Sequence, residues 1–166
     1  QPSCTPAGGR ARAGAGFQVG VRISPERWGI DLGEAREFAR LLMASGRIDY
    51  LDMSLWDCFK EPVDPAYAGK PLIDHFTNIE RHGTPLGVAG KIMDAATARR
   101  CIEHGADFVL IGRAAILHHD FPKLALADTA FRSVERPVTR EHLRNEGLGP
   151  AFIDYMATGW KNFVAD

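Results

Sequence analysis

The sequence is short of the features that place a protein quickly. Its 166 residues hold three cysteines, Cys4, Cys58 and Cys101, an odd number with no Cys-x-x-Cys pair. That argues against a disulfide framework or a cysteine zinc site and fits a reducing, cytoplasmic setting. No apolar run approaches the ~20 residues needed to span a bilayer. The first residues carry Arg10 and Arg12 but no apolar core, so they do not read as a secretory signal. A dominant charge is missing too: 20 basic residues face 21 acidic ones, a formal net charge of −1. No global field draws such a chain to nucleic acid or an anionic membrane, so any anion has to be caught locally.

What is present is an ordinary globular composition, 45% apolar and 25% charged, at a length that suits one domain. Residues 1–16, "QPSCTPAGGRARAGAG", have no apolar periodicity and read as a flexible Gly/Pro/Ala-rich segment. From Phe17 onward a pattern repeats. "FQVGVRIS" reads as a strand, and the helix after it sets Leu32, Ala35, Phe38, Ala39 and Leu42 on one face. "IDYLDMS" is a second strand. About seventeen loop residues follow, then a helix aligning Leu72, Phe76 and Ile79. "PLGVAG" is a third strand, and the helix "DAATARRCIEH" turns Ala98, Cys101 and Ile102 inward. "FVLIG", residues 108 to 112, is the fourth strand, an unbroken apolar run of the kind covered on both faces.

Gly46, Gly83 and Gly105 each stand where a helix should end, and a strand resumes shortly after each. Alternating strands and helices with short αβ connections indicate βαβ units and a parallel sheet. In such folds ligands sit at the carboxyl ends of the strands. The long loop, the Ala89-Gly90-Lys91 turn and the Gly112-Arg113 turn all fall on that rim. Two glycine turns that each open into a helix make a phosphate cradle, because glycine admits close approach and helix starts present free N–H groups. The plainer reading makes Gly112 a strand-end turn and Arg113 a solvated charge.

"VGVRISPERWG", "GVAGKIMDAATARRCIEHGADFVLIGRAAI" and "DFPKLA" together resemble the C-terminal half of the old yellow enzyme family. These are FMN-dependent NAD(P)H:flavin oxidoreductases and ene-reductases built on a (β/α)8 TIM barrel. The resemblance runs from about Phe17 to the C-terminus. It implies half of such a barrel, an α/β fold of four parallel strand–helix units equivalent to strands 5–8, over residues 17–166 with a helical tail. It implies FMN as cofactor, NAD(P)H as reductant and an activated alkene or similar small molecule as acceptor. It also implies that the FMN phosphate rests on Ala89, Gly90, Lys91, Gly112 and Arg113. Arg22 then faces the flavin pyrimidine edge, where a fixed cation stabilises the reduced ring. The alternative for Arg22 is a structural ion pair, and for Lys91 an ammonium pointing to solvent while its backbone N–H binds.

The family's substrate-polarising pair, its tyrosine proton donor and the groups around flavin N5 have no counterpart here, so the catalytic residues of a reductase are unknown in this chain. A four-stranded half barrel has two open edges and an uncovered inner face. The expectation is a homo-oligomer that closes the barrel, or docking to a complementary N-terminal half. The rival reading is a non-catalytic half-barrel module that oligomerises and binds phosphate or nothing.

Four other features need weighing. Trp56 could line a substrate pocket or anchor its own loop. His118, His119 and Asp120 look like metal ligands, but neighbouring residues diverge and no further His or carboxylate is spaced to complete a site, so no metal is expected. Cys101 reads as core, whereas Cys58, in the long loop, reads as exposed. In the tail, Pro150 suits the first turn of a helix whose stripe is Phe152, Met156 and Trp160.

Overall fold

A computed structural model describes residues 16–165; the segment read as flexible, residues 1–16, lies outside them but for Gly16. By its contacts the chain forms two compact units. One takes the residues up to Lys91 with Arg100–Leu110, the other Ile92–Arg99 with the residues from Ile111 on.

The first unit is built on four strands, β1 (Gly20–Ile23), β2 (Tyr50–Ser54), β3 (Leu86–Ala89) and β4 (Phe108–Val109), in the order β1-β2-β3-β4. Every neighbouring pair is parallel, with Arg22 opposite Asp52, Asp52 opposite Gly87, and Gly87 opposite Phe108. The sheet is thus the parallel α/β sheet the pattern predicts, with β1 and β4 as its edges. These observations are consistent with half a barrel.

Side chains alternate across a strand, so this register sorts the sheet into two unlike faces. Leu51, Met53, Leu86 and Val88 share one face and are fully buried. Helix α1 (Leu32–Ala44) packs on that side, burying Leu32, Ala35, Ala39 and Met43. It starts at a capping box in which Asp31 accepts from the Glu34 N–H at 2.7 Å. The predicted stripe is corrected here: Phe38 is 52% exposed, Leu42 is only half-buried, and Met43 takes the inward place. The opposite face carries Tyr50, Asp52 and Ser54, then Gly87 and Ala89, then Phe108 and Leu110. Tyr50 lies over Gly20 and Phe108 over Gly87, and the two rings meet edge to face at 6.0 Å. Among the described residues no helix of the first unit caps this face, and its aromatics are half-buried.

That face explains a second correction. Phe108, Val109, Leu110 and Ile111 are all half-buried rather than sealed on both sides, and β4 is two residues long. The run belongs to an edge strand with one uncovered face. Helix α2 (Asp74–Thr77) is a single turn, though Leu72, Ile73 and Phe76 around it are fully buried. Helix α3 (Ala95–Glu103) buries Cys101, while Ile102, expected inward, is 45% exposed. Gly46, Gly83 and Gly105 all have positive φ, the conformation that lets the chain leave a helix at once.

The second unit is helical: α4 (Arg113–Leu117), α5 (Phe121–Ala127), α6 (Arg140–Asn145) and α7 (Pro150–Gly159). Its core joins Leu117, Val138, Leu143, Ile153, Met156 and Phe163. Pro150 opens α7 as predicted, but the helix buries Ile153 and Met156, and Phe152 is 44% exposed. The i, i+3 pair carries the packing in place of the longer stripe. Among the described residues no helix is long and apolar enough to cross a membrane.

Candidate functional site

Among the described residues, the loops at the carboxyl ends of β1, β2 and β3 hold most of the non-glycine positions with positive φ. Among the described residues six non-glycine residues have positive φ, and four of them, Glu26, Trp28, Trp56 and Lys91, sit in the loops leaving these three strands. Each such residue costs about 1 kcal/mol or more, and strain of this kind gathers at functional sites when surrounding contacts hold it. Here the contacts are specific. Glu26 pairs with Lys60 at 2.5 Å and accepts from the Val63 N–H at 2.6 Å. The Arg27 guanidinium lies 4.5 Å from the centre of the Trp56 ring, and Trp28 meets Trp56 edge-on at 6.4 Å. Lys91 reaches Asp57 at 2.8 Å, and the Cys58 N–H donates to Gly90 at 3.3 Å. These contacts tie the three rim loops together.

Gly90 is forced by this arrangement. A Cβ there would stand 2.8 Å from the Asp57 nitrogen, 2.9 Å from that of Cys58 and 3.0 Å from the Trp56 carbonyl carbon. Gly112 differs: a Cβ there would meet nothing, and the residue starts α4 with no side chain capping the helix. Arg113 follows, exposed, with its guanidinium 5.9 Å from the Trp160 ring centre. Ala89 is half-buried at the end of β3. The Lys91 ammonium is 70% exposed yet partnered, so it is neither free nor sealed.

Arg22 stands on the uncovered face of β1, on the free edge of the sheet. Its Nε donates to Asp52 at 2.5 Å, while its side chain is 60% exposed. The ion pair that sequence reasoning held as the alternative is therefore present, and it engages Nε alone among the described residues. Beside it a cleft of about 610 Å³ runs along the β1 edge, lined by Arg22, Ile23, Trp28, Ile30 and Phe38. Trp28 is 78% exposed there.

Asp52 was not singled out as chemically active by sequence. It is buried, and among the described residues its Oδ1 has no hydrogen-bond partner. Burial raises its pKa, and the Arg22 hydrogen bond and charge offset this in part. An acid whose pKa is higher folded than unfolded favours the folded state most at low pH. That advantage is lost as pH rises from the ordinary carboxylate value, near 4, through the raised one. Urea unfolding at pH 4 and pH 7 should therefore show Asp52→Asn gaining stability relative to wild type at the higher pH. An equal difference at both values would mean the buried carboxylate carries no such penalty.

Trp56, 45% exposed, packs against Arg27 and Trp28, the loop-anchoring role of the two weighed for it. Cys58 is fully buried, contrary to expectation, because the loop after β2 folds inward. A hydrogen bond shared with the Cys101 thiol, and burial, push the Cys58 thiol above its usual range.

No protein-family profile matches the chain. Over 118 residues it is 27% identical to an NADH:fumarate oxidoreductase of Klebsiella pneumoniae (strain 342). The match covers 68% of this chain and 13% of that much longer protein.

Proposed function

We propose that this chain is the FMN-binding part of an NAD(P)H-dependent oxidoreductase of the old yellow enzyme type. The similarity to an NADH:fumarate oxidoreductase supports an oxidoreductase role in general. The observation that carries the flavin reading is Arg22: a largely exposed guanidinium on the open face of a parallel sheet, beside strained loops at the strands' carboxyl ends. The residues present fit the cofactor. Among the described residues Arg22 keeps its terminal nitrogens uncommitted, Gly90 makes a turn in which a Cβ would crowd three backbone atoms, and no side chain caps the start of α4 at Gly112.

FMN, when bound, supplies a two-electron centre able to take hydride from NAD(P)H and pass it to an activated alkene. This chain's part is to bind and to polarise. Arg22 would offer a positioned cation to the negative charge that a reduced flavin carries. Asp52 holds that guanidinium by Nε and fixes its plane. In the first unit Ala89, Gly90 and Lys91 would offer backbone N–H groups to the phosphate. Gly112 and Arg113 are the residues of the second unit that the family resemblance assigns to the same role. A separate half barrel or a second copy closes the open face and brings the substrate-activating groups. The free β1 edge and the exposed Trp28, Ile30 and Phe38 beside it support that partner.

The test is colour. The purified chain incubated with FMN and then desalted should remain yellow, and Arg113→Ala should weaken retention about tenfold or more. That is the loss expected from a charge-assisted hydrogen bond of roughly 1.5–3 kcal/mol. Protein that passes the column colourless favours the second reading, a non-catalytic module. The half-buried run 108–111 and the two unpaired edges speak for that module, since the sheet is incomplete.

A further inference from the structure

We infer that His119, Asp120 and Glu146 form a zinc-binding clip within the helical unit, separate from the rim described above. Sequence spacing argued against a metal at His118-His119-Asp120 because nothing nearby could complete a set. The fold supplies the missing ligand from 26 residues further on, at the C-terminal cap of α6. One donor atom from each of the three side chains lies within 4.8 Å of the others.

Two observations lift this above a chance grouping of surface charges. The first is that Glu146 is already aimed: its Oε2 accepts from the His119 backbone N–H at 2.8 Å and sits 2.8 Å from the ring Nδ1. A ligating carboxylate held by a backbone donor is the outer-shell support that metal sites use. The second is the divergence of the two histidines. His118 is withdrawn, with its Nε2 accepting from the Val134 N–H at 3.0 Å and its ring against Phe131 and His142. Only His119 turns to the carboxylates, and Glu146 is mostly covered while His119 is open to solvent.

The donor set selects the ion. One imidazole nitrogen and two carboxylate oxygens suit a borderline cation such as Zn²⁺, whereas Ca²⁺ and Mg²⁺ prefer oxygen alone. Bonds of about 2.0–2.2 Å place ligand atoms about 3–3.5 Å apart, so closing the set takes a small rotation of the exposed His119 and the half-buried Asp120 side chains. Zinc would take the place of the direct contact between His119 Nδ1 and Glu146 Oε2 and leave a fourth position to water. The clip would join the segment between α4 and α5 to the end of α6, in a unit whose helices there are only five to seven residues long.

The experiment is a zinc titration of the full chain by calorimetry, with Co²⁺ as a spectroscopic substitute. Wild type should bind one ion saturably at micromolar concentration and give the intense visible bands of tetrahedral Co²⁺. His119→Ala and the near-isosteric Glu146→Gln should each weaken binding about tenfold or more. Metal-free melting curves matching wild type would show that these variants are folded. No saturable binding below about 1 mM in the wild type would overturn the proposal. So would binding that both folded variants keep, since the ion would then be held elsewhere.

Discussion

Gly90→Ala is expected to destabilise the first unit by about 1–3 kcal/mol and, if the rim holds FMN as proposed, to weaken its retention as well. Three atoms block the new methyl group at 2.8–3.0 Å, and all three belong to the backbone of Trp56, Asp57 and Cys58. None can swing aside as a side chain would. The loop that carries them is pinned by Lys60, Lys91 and the buried Cys58, so relief would require moving the whole rim. Gly112→Ala is the matched control. Its Cβ would meet open space and its φ is −95°, so melting should barely change. If the two turns hold a phosphate, Gly112→Ala loosens FMN without unfolding the chain. Denaturant melts and flavin titrations on both variants separate a glycine required by packing from one required by a ligand. Equal melting losses at both positions would contradict the crowding at Gly90.

Leu51→Ala should be the more damaging of two neighbouring substitutions on β2, at about 2–5 kcal/mol, the usual range for emptying a sealed core position. Leu51 is fully buried on the helix-covered face, one residue from Tyr50 on the uncovered one. Tyr50→Ala removes a larger side chain but should cost clearly less, because its ring is half-buried and meets mainly Phe108 across the sheet. Chemical denaturation of the pair reads the two-faced character of the sheet directly. A tyrosine loss matching the leucine loss would mean that the open face is covered in solution. Sedimentation of the wild type would then show whether a second copy does the covering.

Much of the fold was legible in local pattern. The strands around Val21, Leu51, Val88 and Val109 announced themselves as short runs of branched and aliphatic residues, and Gly46, Gly83 and Gly105 marked the helix ends. Those signals are local, because a positive φ or an apolar run needs nothing distant to explain it. The inward faces were harder. Phe38, Ile102 and Phe152 fit helical stripes yet lie exposed, because a stripe fixes which residues share a side and leaves open where the neighbour lies. Cys58 was misjudged for the same reason: a loop's position in the sequence says nothing of how it folds back. Of the candidate site, Arg22, Gly90 and Gly112 could be picked out by motif, whereas their partners could not. Asp52 lies 30 residues from Arg22, and Asp57 34 from Lys91.

The amino-acid order alone determined that this chain makes parallel strand–helix units whose helices end at glycines. Periodicity, branching and glycine placement act over a few residues, so they survive without knowledge of the rest. Only the tertiary structure decided that the sheet has one sealed and one open face, that Asp52 is buried beside Arg22, and that Glu146 meets His119. Each depends on which distant segments are brought within bonding distance, and that is set by the packing of the whole unit rather than by any stretch of it.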